Sequence, residues 1–183
     1  MRFLRNSHEW TKIQRLTTKE YVRKIGQTGD MLVTNHVLSG AVIGAAVRNP
    51  WIAFPLGFAS HLVLDAVPHW GRFGSHAYFM RVAKADGLTG LAVMGLATAA
   101  AAPGQRVAVL AGMTGAALPD LNKPGKIYLG HSPFPKRFDD FHGRIQDESP
   151  DRFRSHELVG GAAFAATFAA LVLGSRLRRR AGR

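Results

Sequence analysis

Five stretches free of Asp, Glu, Lys and Arg dominate this chain: Met31 to Val47, Asn49 to Leu64, Gly87 to Gln105, Val107 to Pro119 and Leu158 to Ser175. They are too long for ordinary strands, so each reads as an apolar helix. A helix that crosses a bilayer needs about 20 mostly apolar residues, with about 17 as the working minimum. Two of the stretches fall short of that on their own and the others sit at the margin. Their Gly and Ala content suits helices that pack closely within lipid. Five such stretches exceed what the core helices of a soluble domain supply. The expected fold is therefore all-α, a polytopic membrane bundle of four to five short apolar helices, with a soluble all-α domain as the alternative.

The length of 183 residues fits one domain, and no repeat of solenoid period is present. Three regions follow from composition: a basic N-terminal arm over 1–30, a helical membrane domain over 31–175 with a polar loop at 120–156, and a basic tail over 176–183. The arm lacks the short apolar core and cleavage site of a secretory signal and suits a membrane surface. The net charge of +12 sits largely in the arm and the tail rather than on a face with aromatic or polar readers, so nucleic acid is not the expected partner. There is no cysteine, which excludes thiolate zinc sites and leaves imidazole and carboxylate as the available metal donors.

The breaks between the stretches carry the usual punctuation. Asn49-Pro50 opens the second helix, Pro103-Gly104 separates the third from the fourth, and Pro119 and Pro124 close the fourth. Pro55 is expected to kink the second helix. The basic loops fall on alternate connections, which predicts two hairpins with those loops in the cytoplasm. The basic tail would also favour that side, which five full crossings forbid. One stretch is therefore expected not to cross completely. Alternating helix direction then places His36, Asp65, His69, Asp86, Asp120, His156 and Glu157 at one end of the bundle, with His61 one turn deeper.

In "SHLVLDAVPHWG", Ser60 to Gly71, His61 and Asp65 share a helix face at i and i+4, and Pro68 leaves His69 just beyond the last turn. Such a pair can bind a divalent cation, or it can simply hydrogen-bond and tighten the helix. Asp120 in "ALPDLNKPG" reads as a second contributor or as a helix stop with a solvated turn. In "DRFRSHE", Ser155 reads as an N-cap, which leaves His156 unexplained. His8, His76 and His131 lack a carboxylate at helical spacing and read as surface residues. His142, among Asp139, Asp140 and Asp147, reads as part of a solvated acidic loop. Trp51 and Trp70 read as interfacial anchors at opposite ends of the second helix.

The pieces "NHVLSGAVIG", "SHLVLD", "LPDLNKP" and "RFRSH" resemble the small bacterial inner-membrane proteins classed as metal-dependent hydrolases. That family carries a T-H-x-x-x-G-like start, an L-P-D-x-D-x-P turn, an H-R-G-x-T-H-S stretch and an S-H-x-x-x-D helix. The chain departs from it at Asn122, where the turn has its second Asp, at Asp151, where the stretch has its first His, and in carrying the S-H-x-x-x-D helix early. "SHLVLDAVPH" is also similar, over a short span, to zinc-dependent phospholipase C and related all-α nucleases. The resemblance implies a multi-pass inner-membrane location and a divalent metal, zinc above all, held by His36, His61, Asp65, Asp120 and His156. His69 is added from its position beside the pair. A carboxylate outside the ligand set, Asp86 or Glu157, would serve as general base. The expected activity is hydrolysis of a phosphoester or lipid-linked substrate at the cytoplasmic membrane face. The competing expectation is a non-catalytic scaffold that binds anionic membrane lipid or a protein partner.

Overall fold

A computed structural model describes residues 31–182 apart from Arg72, Gly74 and Pro150. The basic arm expected over 1–30 lies outside the described residues. Six principal helices are present: α1 Val33–Val47, α2 Pro50–Asp65, α3 His76–Ala100, α4 Arg106–Ala117, α5 Lys136–Ile145 and α6 Arg154–Ala181. Between α4 and α5 run three short helical segments, Leu118–Leu121, Asn122–Pro124 and Gly125–Leu129. Among the described residues there is no strand, only an isolated bridge between His69 and Glu148. The chain is all-helical, as its apolar pattern predicts.

The boundaries follow local chemistry. Asn49 caps α2 by accepting from the Trp51 amide, with Pro50 in the first turn, where its missing N–H costs nothing. Ser75 caps α3 through the Tyr78 amide, which starts that helix well before the apolar stretch at Gly87. The first turn of α6 forms at Arg154, with the Phe153 amide donating to His156 Nδ1. Ser155 is therefore inside the helix rather than its cap.

α4 is held between α1 and α2 by direct backbone contact. A Cβ on Gly112 would fall on the carbonyl oxygen of Gly40, and one on Gly57 would fall on the carbonyl oxygen of Gly112. Only glycine permits three helices to approach this closely at one level. Around that contact Val37, Ala41, Val109, Met113, Phe168 and Val172 form the main core. A second aromatic cluster joins Trp70 and Phe73 of the loop between α2 and α3 to Phe79 of α3. Trp70 is 8% exposed and so is not an interfacial anchor, whereas Trp51 is 87% exposed.

Among the described residues, α6 alone is long and apolar enough to cross a membrane. α1, α2 and α4 have 15, 16 and 12 residues. At 1.5 Å per residue these span roughly 18 to 24 Å, short of the ~30 Å hydrocarbon core. α3 has the length, but Arg81, Lys84 and Asp86 occupy its first half. A multi-pass bundle of four to five crossings is therefore unsupported. The apolar stretches are real helices, but three of them, α1, α2 and α4, are short and pack on one another through glycine.

The polar segment 120–156 also differs from the loop expected there. It contains α5, whose few apolar positions include Phe138, set between Phe58 and Phe134. After α5 the chain runs beside the end of α2, with Asp147 N donating to Asp65 O, His69 N to Asp147 O and Ser149 N to His69 O.

Candidate metal centre

The centre is built from the C-terminal half of α2 outward. Asp65 and His61 lie one turn apart, and the Gly-mediated approach of α4 brings the Ala116 carbonyl to His61. His61 Nδ1 donates to that carbonyl at 2.7 Å. A carbonyl can only accept, so Nδ1 carries a proton, and whenever the ring is neutral its lone pair lies at Nε2. That atom faces Asp65 Oδ2 at 3.1 Å, His142 Nε2 at 2.9 Å and Asp120 Oδ1 at 3.8 Å.

His36, from the first turns of α1, stacks on His61 with ring centroids 3.9 Å apart. Its Nε2 lies 3.2 Å from Asp65 Oδ1, yet neither atom has a hydrogen-bond partner. Both are buried, and buried polar atoms are almost always paired. His142, projected inward by α5, places Nε2 2.8 Å from Asp65 Oδ2. His36, His61 and Asp65 are 0% exposed, and His142 is 1% exposed. Metal bonds of about 2.0–2.2 Å put neighbouring ligand atoms roughly 3 to 4 Å apart, the range of the His36–Asp65, His61–Asp65 and His61–Asp120 contacts, while the two His142 contacts have hydrogen-bond length. Two overlapping sets, His36 with His61 and Asp120, and His61 with Asp65 and His142, could hold a metal ion.

Burial and the facing charges set the ionisation of each group. Burial alone raises the Asp65 carboxyl, but the bond from His142 and the close imidazoles of His36 and His61 outweigh this and hold it well below the usual carboxylate range. Burial likewise opposes ionisation of Asp120, but the Lys123 ammonium beside it and His61 bring its pKa down to about 2. Burial, helped by the charge of His61, lowers His36, which is therefore neutral. Burial also works against charge on His61, yet Asp120 and Asp65 together raise it. Two ionised carboxylates thus face a neutral His36 and a His61 that they favour in its charged form, so a cation bound at His61 Nε2 would displace a proton.

The structure brings together His36, His61, Asp65 and Asp120 from the sequence candidates and leaves out four others. His69 lies past the end of α2 with Nδ1 donating to the Val67 carbonyl at 2.9 Å, and belongs to neither set. His156 is exposed, and its Nδ1 accepts from the Phe153 amide at the start of α6. Asp86 caps α1, Oδ2 accepting from Val33 N at 2.6 Å and Oδ1 from the Thr34 hydroxyl at 2.6 Å. Burial raises its pKa against those bonds. Glu157 ties α6 to α1 and to the loop after α2, accepting from Asn35 Nδ2 at 2.8 Å and from Trp70 N at 3.3 Å. Asp86 and Glu157 are thus structural carboxylates at the same end of the bundle.

His142 is the residue that sequence reasoning missed. Its acidic neighbours are paired with lysines, Asp139 with Lys126 and Asp140 with Lys136, which leaves the opposite face of α5 to carry Phe138 and His142 inward. The i, i+4 spacing of Phe138 and His142 was the available signal.

Compared with protein-family models, with curated proteins and with solved structures, the chain matches none. What fold and site define together is an all-helical protein with a buried His and Asp centre able to hold a metal ion.

Proposed function

We propose that this chain is a membrane-associated, zinc-dependent hydrolase of phosphoesters, related to the inner-membrane metal-dependent hydrolases that its motifs resemble. The observation that carries this reading is the convergence of buried donor atoms on Asp65, with His36 Nε2 and Asp65 Oδ1 lacking any other partner. Three imidazoles with carboxylate oxygen form a donor set that suits zinc. His36, His61, Asp65 and His142 would hold the ion, and Asp120 would complete the set at its more open edge, its side chain being 12% exposed. A divalent cation there supplies Lewis-acid activation of water and of a phosphoryl oxygen. The chain itself contributes orientation: the Ala116 carbonyl sets the His61 tautomer, and the packing of α5 sets His142. Lys123, paired with Asp120, brings positive charge suited to a phosphoryl oxygen to the same edge.

Membrane association is supported by α6 and by large exposed apolar side chains, among them Trp51, Leu88, Leu96, Val107 and Val159. The test is metal analysis of detergent-purified protein together with hydrolysis of bis(4-nitrophenyl) phosphate before and after chelation. The expected result is a stoichiometric divalent ion and metal-restored hydrolysis, both lost in His61→Ala. Substoichiometric metal that His61→Ala leaves unchanged would overturn the metal site. Stoichiometric metal without hydrolysis would favour a non-catalytic membrane scaffold.

A further inference from the structure

A cavity of about 590 Å³ opens between α1, α3 and the segment 118–129. That volume lies within the range of about 300–1,000 Å³ typical of small-molecule sites. Its walls are apolar, with Val37, Phe79, Met80, Leu91, Met94 and Ile127 among them. Polar side chains enter at only a few places, and two of these, Asp120 and Lys123, form the ion pair that borders the metal centre. Asp120 belongs to both, being 3.8 Å from His61 and part of the cavity wall. Asp86 also borders the cavity, but its oxygens are occupied by the start of α1. Leu88 and Leu91 line the cavity and are themselves largely exposed, so its wall continues into the apolar outer surface of α3.

We infer that this cavity holds the hydrocarbon chain of a phosphate-bearing lipid, with the phosphate at Lys123 and the metal centre and the chain running along α3. The inference rests on the hydrolase reading for the fate of the phosphate, but chain binding does not require catalysis. An apolar cavity that ends at a basic residue and a cation site, and opens onto an apolar surface, matches an amphiphile with an anionic head. A water-soluble phosphoester would leave the apolar walls without a partner. Gly87 lines the cavity on α3, and an added Cβ there meets nothing within 4 Å, so a side chain at this position starts from open space at the cavity wall and replaces a helix-weakening glycine.

The test is photo-crosslinking of the detergent-purified full chain with 1-palmitoyl-glycerol 3-phosphate that carries a diazirine near the end of its acyl chain. Labelled residues are mapped by mass spectrometry with the metal present and after chelation. The expected result is saturable labelling on cavity residues such as Met80, Leu91 and Met94. Unlabelled 1-palmitoyl-glycerol 3-phosphate should compete, and glycerol 3-phosphate should not. Gly87→Phe should reduce that labelling about tenfold while thermal stability and metal content stay at the parent level. Labelling spread over outward residues such as Leu96, Val159 and Leu173, or unchanged by Gly87→Phe, would overturn the inference. So would equal labelling by a diazirine-bearing hydrocarbon without phosphate. Cavity labelling without hydrolysis by the metal-loaded protein would refute the catalytic reading alone.

Discussion

Replacing His142 with alanine separates a metal centre from a buried hydrogen-bond network. His142 Nε2 sits 2.8 Å from Asp65 Oδ2 and 2.9 Å from His61 Nε2, and the ring is almost fully buried. Four-ligand structural zinc sites bind with about 10–16 kcal/mol, so one imidazole of four accounts for roughly 3 kcal/mol, about two orders of magnitude in Kd. At metal concentrations near 100 times the parent Kd, bound metal stabilises the folded chain by about 2.7 kcal/mol. His142→Ala should lose most of that increment. Without metal, the same change removes one buried hydrogen bond and costs about 1–3 kcal/mol at any metal concentration. The assay is competition for zinc against a chromophoric chelator, paired with thermal unfolding in detergent with and without added zinc. The expected outcome is about hundredfold weaker binding and a metal-dependent rise in Tm that shrinks with it. A His142→Ala protein whose zinc affinity and metal-dependent rise in Tm equal those of the parent would refute the assignment of His142 as a ligand.

His69→Ala should leave zinc affinity within about twofold of the parent, because His69 bonds the Val67 carbonyl and not the cluster; an affinity loss like that of His142→Ala would return it to the ligand set. Asp86→Ala should remove the cap of α1 and lower stability by about 0.5–2 kcal/mol in denaturant unfolding, with metal content intact. Gly112→Ala should destabilise by about 1–3 kcal/mol, since the new Cβ strikes the Gly40 carbonyl on a packed helix; unchanged thermal unfolding would contradict the close approach of α1 and α4. His156→Ala should change stability by less than about 0.5 kcal/mol and leave zinc binding untouched, as expected of an exposed ring at the start of α6.

The amino-acid sequence established that the chain is helical and where α1, α2 and α4 begin and end, because uncharged runs broken by Asn49-Pro50, Pro103-Gly104 and Pro119 leave little choice of backbone state; it did not show the early start of α3, the whole of α5 or the run of α6 to Ala181. It also determined which end of the bundle collects the polar residues, since helix direction must alternate when connections are short. His61 and Asp65 were legible as a pair from i, i+4 spacing, and His36 and Asp120 from their positions at facing helix ends. Tertiary structure alone decided which residues at that end touch. Glu157 and Asp86 share it with His36, yet the start of α1, through Val33, Thr34 and Asn35, and Trp70 in the loop after α2 take up their oxygens. His156 fell outside because the first turn of α6 bonds it locally. His142 entered because α5, whose long-range partners lie on α2, turns one side toward Phe58 and Asp65. Spacing along a chain records neighbours within one element. Convergence between elements is set by how closely their backbones approach, and here that distance depends on glycines meeting at Gly112.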